Sequence, residues 1–123
     1  MTATIRSVPA ASEAGAPPFL LSIDVRAGRV AIYGDFDRQQ VEGFLEAVRL
    51  LTLFPAPAWS VDVTGVTFCD AGGLRALLIA KRVADRAGRS FQVTGAGSWM
   101  RHLLPMIGLS APAASTRVLR AVR

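Results

Sequence analysis

The sequence predicts an α/β domain in which helices pack on a mixed β-sheet. The chain begins with two alternating apolar segments around a short turn, and helical apolar stripes then take turns with short β-branched runs. Its 123 residues suffice for one domain and leave little room for a second. Phe19-Leu-Leu-Ser-Ile-Asp-Val25 sets Phe19, Leu21, Ile23 and Val25 on one face, Arg26-Ala-Gly28 turns the chain, and Arg29-Val-Ala-Ile-Tyr33 returns as a second strand. Gly34-Asp35-Phe36-Asp37 follows this hairpin. Asp37, with Gln40 three residues on, has the capping-box spacing that satisfies the free amides of a helix start. From there to about Leu51 the stripe Val41, Phe44, Leu45, Val48 and Leu51 faces a sheet, while Glu42, Glu46 and Arg49 point away. Pro55 and Pro57 stop any continuation.

Ser60-Val-Asp-Val63 is a short central strand in which Asp62 needs a hydrogen-bonding partner. Thr64 to Cys69 reads as a loop. Asp70 caps a second helix through Ala87, closed by Gly88. Ser90-Phe-Gln-Val-Thr94 makes another strand, and a third helix starts at Ser98 with Trp99, Leu103 and Leu104, shortened or kinked by Pro105. Met106-Ile-Gly-Leu109 packs back, and Thr116 to Val122 forms a weak terminal helix or strand. Residues 1–18, rich in Ala, Ser and Pro without apolar periodicity, read as a flexible leader, so that the domain spans 19–123. The order of elements implies right-handed β-α crossovers onto one sheet.

Composition excludes several functions. One cysteine, Cys69, makes no internal bridge, and one histidine, His102, builds no histidine-rich metal site, so no metal or cofactor is expected. No apolar run is long enough for a membrane-spanning helix, and the start lacks the apolar stretch of a signal peptide, which points to a cytoplasmic protein. Fourteen basic residues against nine acidic ones give a net charge of +5, compatible with an acidic partner or nucleic acid. Dispersed arginines, 7% aromatics and the lack of a helix-turn-helix or zinc pattern argue against nucleic acid.

The densest signal is the run from Val61 to Leu78, where a buried strand leads to an Asp-capped helix whose first turn is nearly bare: Ala71, Gly72, Gly73. Glycines at a helix start cost up to about 1 kcal/mol each relative to Ala, so something compensates. Either the helix packs tightly on the sheet, or another backbone approaches closely.

Asp62-Val-Thr-Gly-Val-Thr-Phe-Cys-Asp70-Ala-Gly-Gly-Leu74 resembles the signature of the STAS domain family (sulfate transporter and anti-sigma factor antagonist), in which a strand and loop lead to Asp-Ser-Ser-Gly-Leu or a close variant. Gly34-Asp-Phe-Asp37 is similar to the family's Gly-x-x-Asp, and Leu103-Leu-Pro-Met-Ile-Gly-Leu109 to its Leu-Leu-x-x-x-Gly-Leu. The resemblance spans about Phe19 to Leu109 and implies a STAS-like mixed sheet. In the anti-sigma factor antagonist branch it further implies a non-catalytic module of partner switching. There the unphosphorylated protein binds an anti-sigma factor with a histidine-kinase-type ATP-binding fold. That partner phosphorylates a Ser or Thr just after the signature Asp and so ends the complex, because about −1.5 to −2 charges do not fit a closed interface.

Carried over residue by residue, Asp70 takes the signature Asp, Ala71 the phosphoacceptor and Gly72 the second Ser, while Gly73 and Leu74 match. Ala71 has no hydroxyl, so phosphorylation there is impossible. Thr64 and Thr67 are candidate substitute acceptors. Partner contact is expected at Asp70, Ala71, Gly72, Gly73 and Leu74, with Asp35 and Asp37 from the preceding motif. Arg75, Leu78 and Arg82 would extend that surface, on a helix side that also carries Asp85, Arg86 and Arg89. Its plainer reading is a solvated face with an Asp85–Arg89 pair worth a few tenths of a kcal/mol. Cys69 reads as a buried thiol, His102 as an exposed helical residue, and Trp59 and Trp99 as packing anchors. A STAS accessory subunit of a lipid-transport ATPase is the alternative within the fold, a basic nucleic-acid-binding protein the alternative outside it. The expected oligomeric state is a monomer or weak dimer.

Overall fold

The computed structural model describes the backbone of residues 2–7 and all of residues 19–109. Five strands, β1 (Thr2–Ser7), β2 (Phe19–Asp24), β3 (Arg29–Phe36), β4 (Ala58–Cys69) and β5 (Ser90–Thr94), form one sheet in the order β1-β2-β3-β4-β5. The first three run antiparallel, and β3-β4 and β4-β5 are parallel. Parallel neighbours require crossovers. These are supplied by α1 (Val41–Leu51), entered through a 3-10 turn at Arg38–Gln40, and by α2 (Ala71–Arg86); α3 (Ser98–Leu103) follows β5 and tightens into a second 3-10 turn at Leu104–Ile107.

Alternation along β2 buries Phe19, Leu21 and Ile23, and β3 continues the same face with Val30, Ile32 and Phe36. Phe44, Ala47, Val48 and Leu51 of α1 and Ala76, Leu77, Ala80 and Ala84 of α2 complete a single core. Phe36 stacks on Phe19 at 6.1 Å between ring centres and meets Phe44 edge-on at 5.1 Å, geometries that add to simple burial.

Four expectations are corrected. Thr2–Ser7, inside the presumed leader, pairs with the whole of β2 as an edge strand; an edge strand held by backbone hydrogen bonds needs no apolar periodicity. Thr64–Cys69 is not a loop but the second half of the 12-residue β4. It pairs with an equally prolonged β3 through two register shifts, and the Tyr33 ring occupies the space where a side chain on Gly65 would stand. Arg89 does not lie on the outer face of α2. Its Nη1 donates to the Phe54 and Ala56 carbonyls at 2.9 and 2.7 Å, and its guanidinium sits 5.4 Å over the Trp59 ring. Asp85 pairs instead with Lys81, at 3.1 Å, one helical turn earlier. Trp59 is buried as expected, but Trp99 is 46% exposed and lies outside the buried core.

Pro105 opens the 3-10 turn after α3, Gly108 closes it at φ +83°, and Leu109 folds back into the core through its N–H to the Leu104 carbonyl at 2.9 Å. Residues Thr116 to Val122, expected as a weak helix or strand, lie outside the described residues.

Candidate functional site

The chain leaves the parallel strands β3 and β4 at the same end of the sheet, so the two helix starts that follow lie side by side. Asp37, extended in backbone, accepts at Oδ1 from the Gln39 N–H at 2.9 Å and starts the turn into α1. Asp70, likewise extended, accepts at Oδ1 from the Gly73 N–H at 2.9 Å and starts α2. Its second oxygen accepts from the Arg38 N–H at 3.3 Å. One carboxylate therefore caps α2 and holds the entrance of α1 against it. Beside it Thr67 donates its hydroxyl to Asp35 Oδ1 at 2.7 Å, fastening the ends of β3 and β4.

Gly73 explains most of the bare first turn. A methyl group there would overlap the Phe36 carbonyl oxygen and stand 2.8 Å from Cys69 Sγ, so α2 can settle on the sheet only with no side chain at this point. Gly73 itself is buried, unlike the exposed Ala71 beside it. Leu74 packs half-buried against the core. Gly72 is less constrained, its added carbon meeting Asp70 Oδ1 at 3.2 Å and Arg38 Cα at 3.3 Å. Ala71 is exposed at the tip, so the position is accessible.

From that tip an open groove of about 770 Å³ runs between α1 and α2. Val41 and Leu45 of α1 and Ala76 and Ile79 of α2 line it with apolar surface. Arg38, Glu42 and Arg49 border it on one side, Asp70, Ala71, Gly72 and Arg75 on the other. Of the expected contact residues, Asp70, Ala71, Gly72 and Arg75 thus meet at one place. Asp35 and Asp37 stand near its head as structural ties, and Leu78, half-buried, and Arg82, exposed, lie on α2 outside its lining.

Arg38, Arg49 and the groove-facing roles of Val41 and Leu45 were missed. The stripe of α1 had been assigned wholly to the core, although Arg38 and Arg49 are 11 positions apart, close to three full turns, and so share a face with Val41 and Leu45. Phe68, 52% exposed immediately before Cys69 and Asp70, was missed as well.

Thr64 belongs to another cluster. It donates both N–H and hydroxyl to Asp62 Oδ1, at 2.9 and 2.6 Å, and Asp62 Oδ2 lies 3.5 Å from Arg29. Partial burial raises the Asp62 carboxyl, but the two Thr64 hydrogen bonds and the Arg29 charge outweigh it and hold the group below its ordinary value. The Cys69 thiol is pushed up to about 12 by burial and by the Asp70 charge, which leaves it unreactive. His102 is exposed, its Nδ1 2.9 Å from the Ser98 carbonyl. Among the described residues no group of three or more His, Cys, Asp or Glu could hold a metal ion, and no helix is long and apolar enough to cross a membrane.

A family model described as "Mlab, STAS domain" matches residues 19–120. The chain belongs to the STAS domain family. Among solved structures, that of the anti-sigma factor antagonist SpoIIAA in its unphosphorylated form matches this STAS domain with a TM-score of 0.62 at 18% identity, covering 85% of this chain and 97% of that one. The murine Solute Carrier 26 family member A9 (Slc26a9) anion transporter, in its inward-facing state, matches with a TM-score of 0.59 at 14% identity. That likeness takes in 98% of this chain but only 22% of the transporter, so the STAS domain spans about a fifth of that protein's length. Both establish the mixed α/β STAS fold. No curated protein matches the chain.

Proposed function

We propose that this STAS domain is a non-catalytic binding module of the anti-sigma factor antagonist kind, docking an ATP-binding anti-sigma factor through the start of α2 and acting without a phosphorylation switch at position 71. The observation that carries the reading is Ala71 itself: an exposed methyl group at the head of the groove, where the family's acceptor hydroxyl would stand. Asp70, Gly72 and Arg75 surround it on the same helix turn. Arg82 extends the exposed basic surface along α2, and Leu78 contributes an apolar spot. An α2 start of this kind binds in one state only, because nothing at Ala71 can acquire the charge that would drive the partner off.

Affinity capture with the wild-type chain and Ala71→Glu tests the reading. A carboxylate closed into an interface without a partner costs about 3 kcal/mol or more, a loss of about 100-fold in affinity. Wild type is expected to retain an anti-sigma factor with a histidine-kinase-type ATP-binding fold, and Ala71→Glu to release it. With labelled ATP that partner is expected to phosphorylate Ala71→Ser and not the wild type; strong labelling of the wild type, at Thr67 or Thr64, would mean the switch survives elsewhere.

A second reading, a STAS accessory subunit of a lipid-transport ATPase, draws on the same methyl group. A standing subunit has no need of release by phosphorylation, and a fixed unphosphorylated surface suits permanent association. Capture of a transporter ATPase in place of an anti-sigma factor decides for it.

A further inference from the structure

We infer that the groove between α1 and α2 receives an acidic amphipathic helix of the partner, its apolar ridge lying over Leu45 and Ile79 and its carboxylates meeting Arg38, Arg49 and Arg75. The inference rests on the reading that the partner docks at the start of α2 and adds which part of the partner does so.

The groove has the dimensions of a helix seat. From Val41 to Arg49 it follows α1 for about 12 Å at 1.5 Å per residue, a little over two turns of a partner helix laid along it. Its floor is apolar on both walls, Val41 and Leu45 facing Ala76 and Ile79, as helix-in-groove recognition requires. It is open along its length, so a small ligand would stay largely in water, whereas good small-molecule sites bury about 70–90% of their ligand.

The rim sets the sign. Among the described residues Arg29 pairs with Asp62 and Lys81 with Asp85, and no acid forms an ion pair with the guanidinium of Arg38, Arg49 or Arg75. Of the two acids at the groove, Asp70 turns its oxygens to the Gly73 and Arg38 amides, which leaves Glu42 against three guanidiniums. A second copy of this chain would bring the same basic face and repel; an acidic helix complements it.

The test uses the whole chain and a synthetic amphipathic peptide of about 15 residues, with Leu at helical spacing flanked by Glu. One control replaces Glu by Lys, another replaces Leu by Ser. In an NMR titration the Glu-Leu peptide is expected to shift the amides of Leu45, Ala76 and Ile79, and to bind about tenfold or more weaker at high than at low salt. A loss of about tenfold or more is also expected in Arg49→Glu/Arg75→Glu, whose exposed positions spare the fold, and in Ile79→Asp. Failure of the Glu-Leu peptide to bind, equal binding of the Lys peptide, or indifference to both variants would overturn the inference. So would vesicles of anionic phospholipid giving the groove shifts where the peptide gives none. Partner capture separates the two levels. Loss with Ala71→Glu but not with Arg49→Glu/Arg75→Glu keeps the docking reading and discards the helix seat; loss with neither discards both.

Discussion

Asp70 performs two tasks with one carboxylate, capping α2 through Gly73 and holding Arg38 at the entrance of α1. Asp70→Ala is expected to lower stability by about 1–2 kcal/mol, the upper range for a lost cap, seen as a lower urea midpoint with unchanged slope. Gly73 and Gly72 separate cleanly. Gly73→Ala forces a carbon onto the Phe36 carbonyl and is expected to cost about 1–3 kcal/mol or more, while Gly72→Ser, whose added carbon meets Asp70 Oδ1 and Arg38 Cα at a tight 3.2–3.3 Å, is expected to lower the midpoint less than Gly73→Ala does. Asp62 carries the acid sensitivity. Its folded-state carboxyl lies below the ordinary 3.8, because two Thr64 hydrogen bonds and Arg29 overcome the effect of burial. The stability it contributes is therefore complete above the ordinary value and is lost as pH falls through the lower folded one. Wild type and Asp62→Asn are expected to differ in melting temperature at neutral pH and to converge at the acid end of a titration. Asp70 as a cap and Asp62 as a strand residue in need of a partner were legible from residue type and position. The second bond of Asp70, to a residue 32 positions earlier, was not, since no local pattern encodes it.

At the level of elements, α1 contains a glycine that nothing requires. A methyl group on Gly43 meets no atom within 4 Å, so Gly43→Ala is expected to raise stability by about 0.5–1 kcal/mol through helix propensity alone, read as a higher urea midpoint. The helices and β5 were readable because apolar spacing and capping residues agree there, as at Asp37, Asp70 and Gly88. β4 was cut short at Val63, with Thr64 to Cys69 read as a loop; the Tyr33 ring that covers Gly65 comes from the neighbouring strand. β1 escaped notice because its evidence is pairing with β2, a partner more than ten residues away. The outer face of α2 was assigned an Asp85–Arg89 pair by spacing, but the helix ends at Arg86, and beyond that end Arg89 is free to turn to the Phe54 and Ala56 carbonyls.

For the whole molecule, the fold followed from the order of elements and the family signature from three short motifs, yet the groove followed from neither. It exists because α1 and α2 leave the same end of the sheet as neighbours, and Val41 and Leu45, counted as core, occupy the margin where core meets solvent. With a net charge of +5 and arginines on that side, association with an acidic partner is expected to slow as salt rises, measured by stopped-flow as a falling on-rate with little change in off-rate. The Asp70 bridge finally bears on how the two groove walls can move. Since one side chain moors both helix beginnings, the trough is expected to hold its width best at its head and to yield more at the far end, past Arg49 and Ile79. A guest would be gripped first where the protein yields least, and the looser end would adjust around whatever length remains.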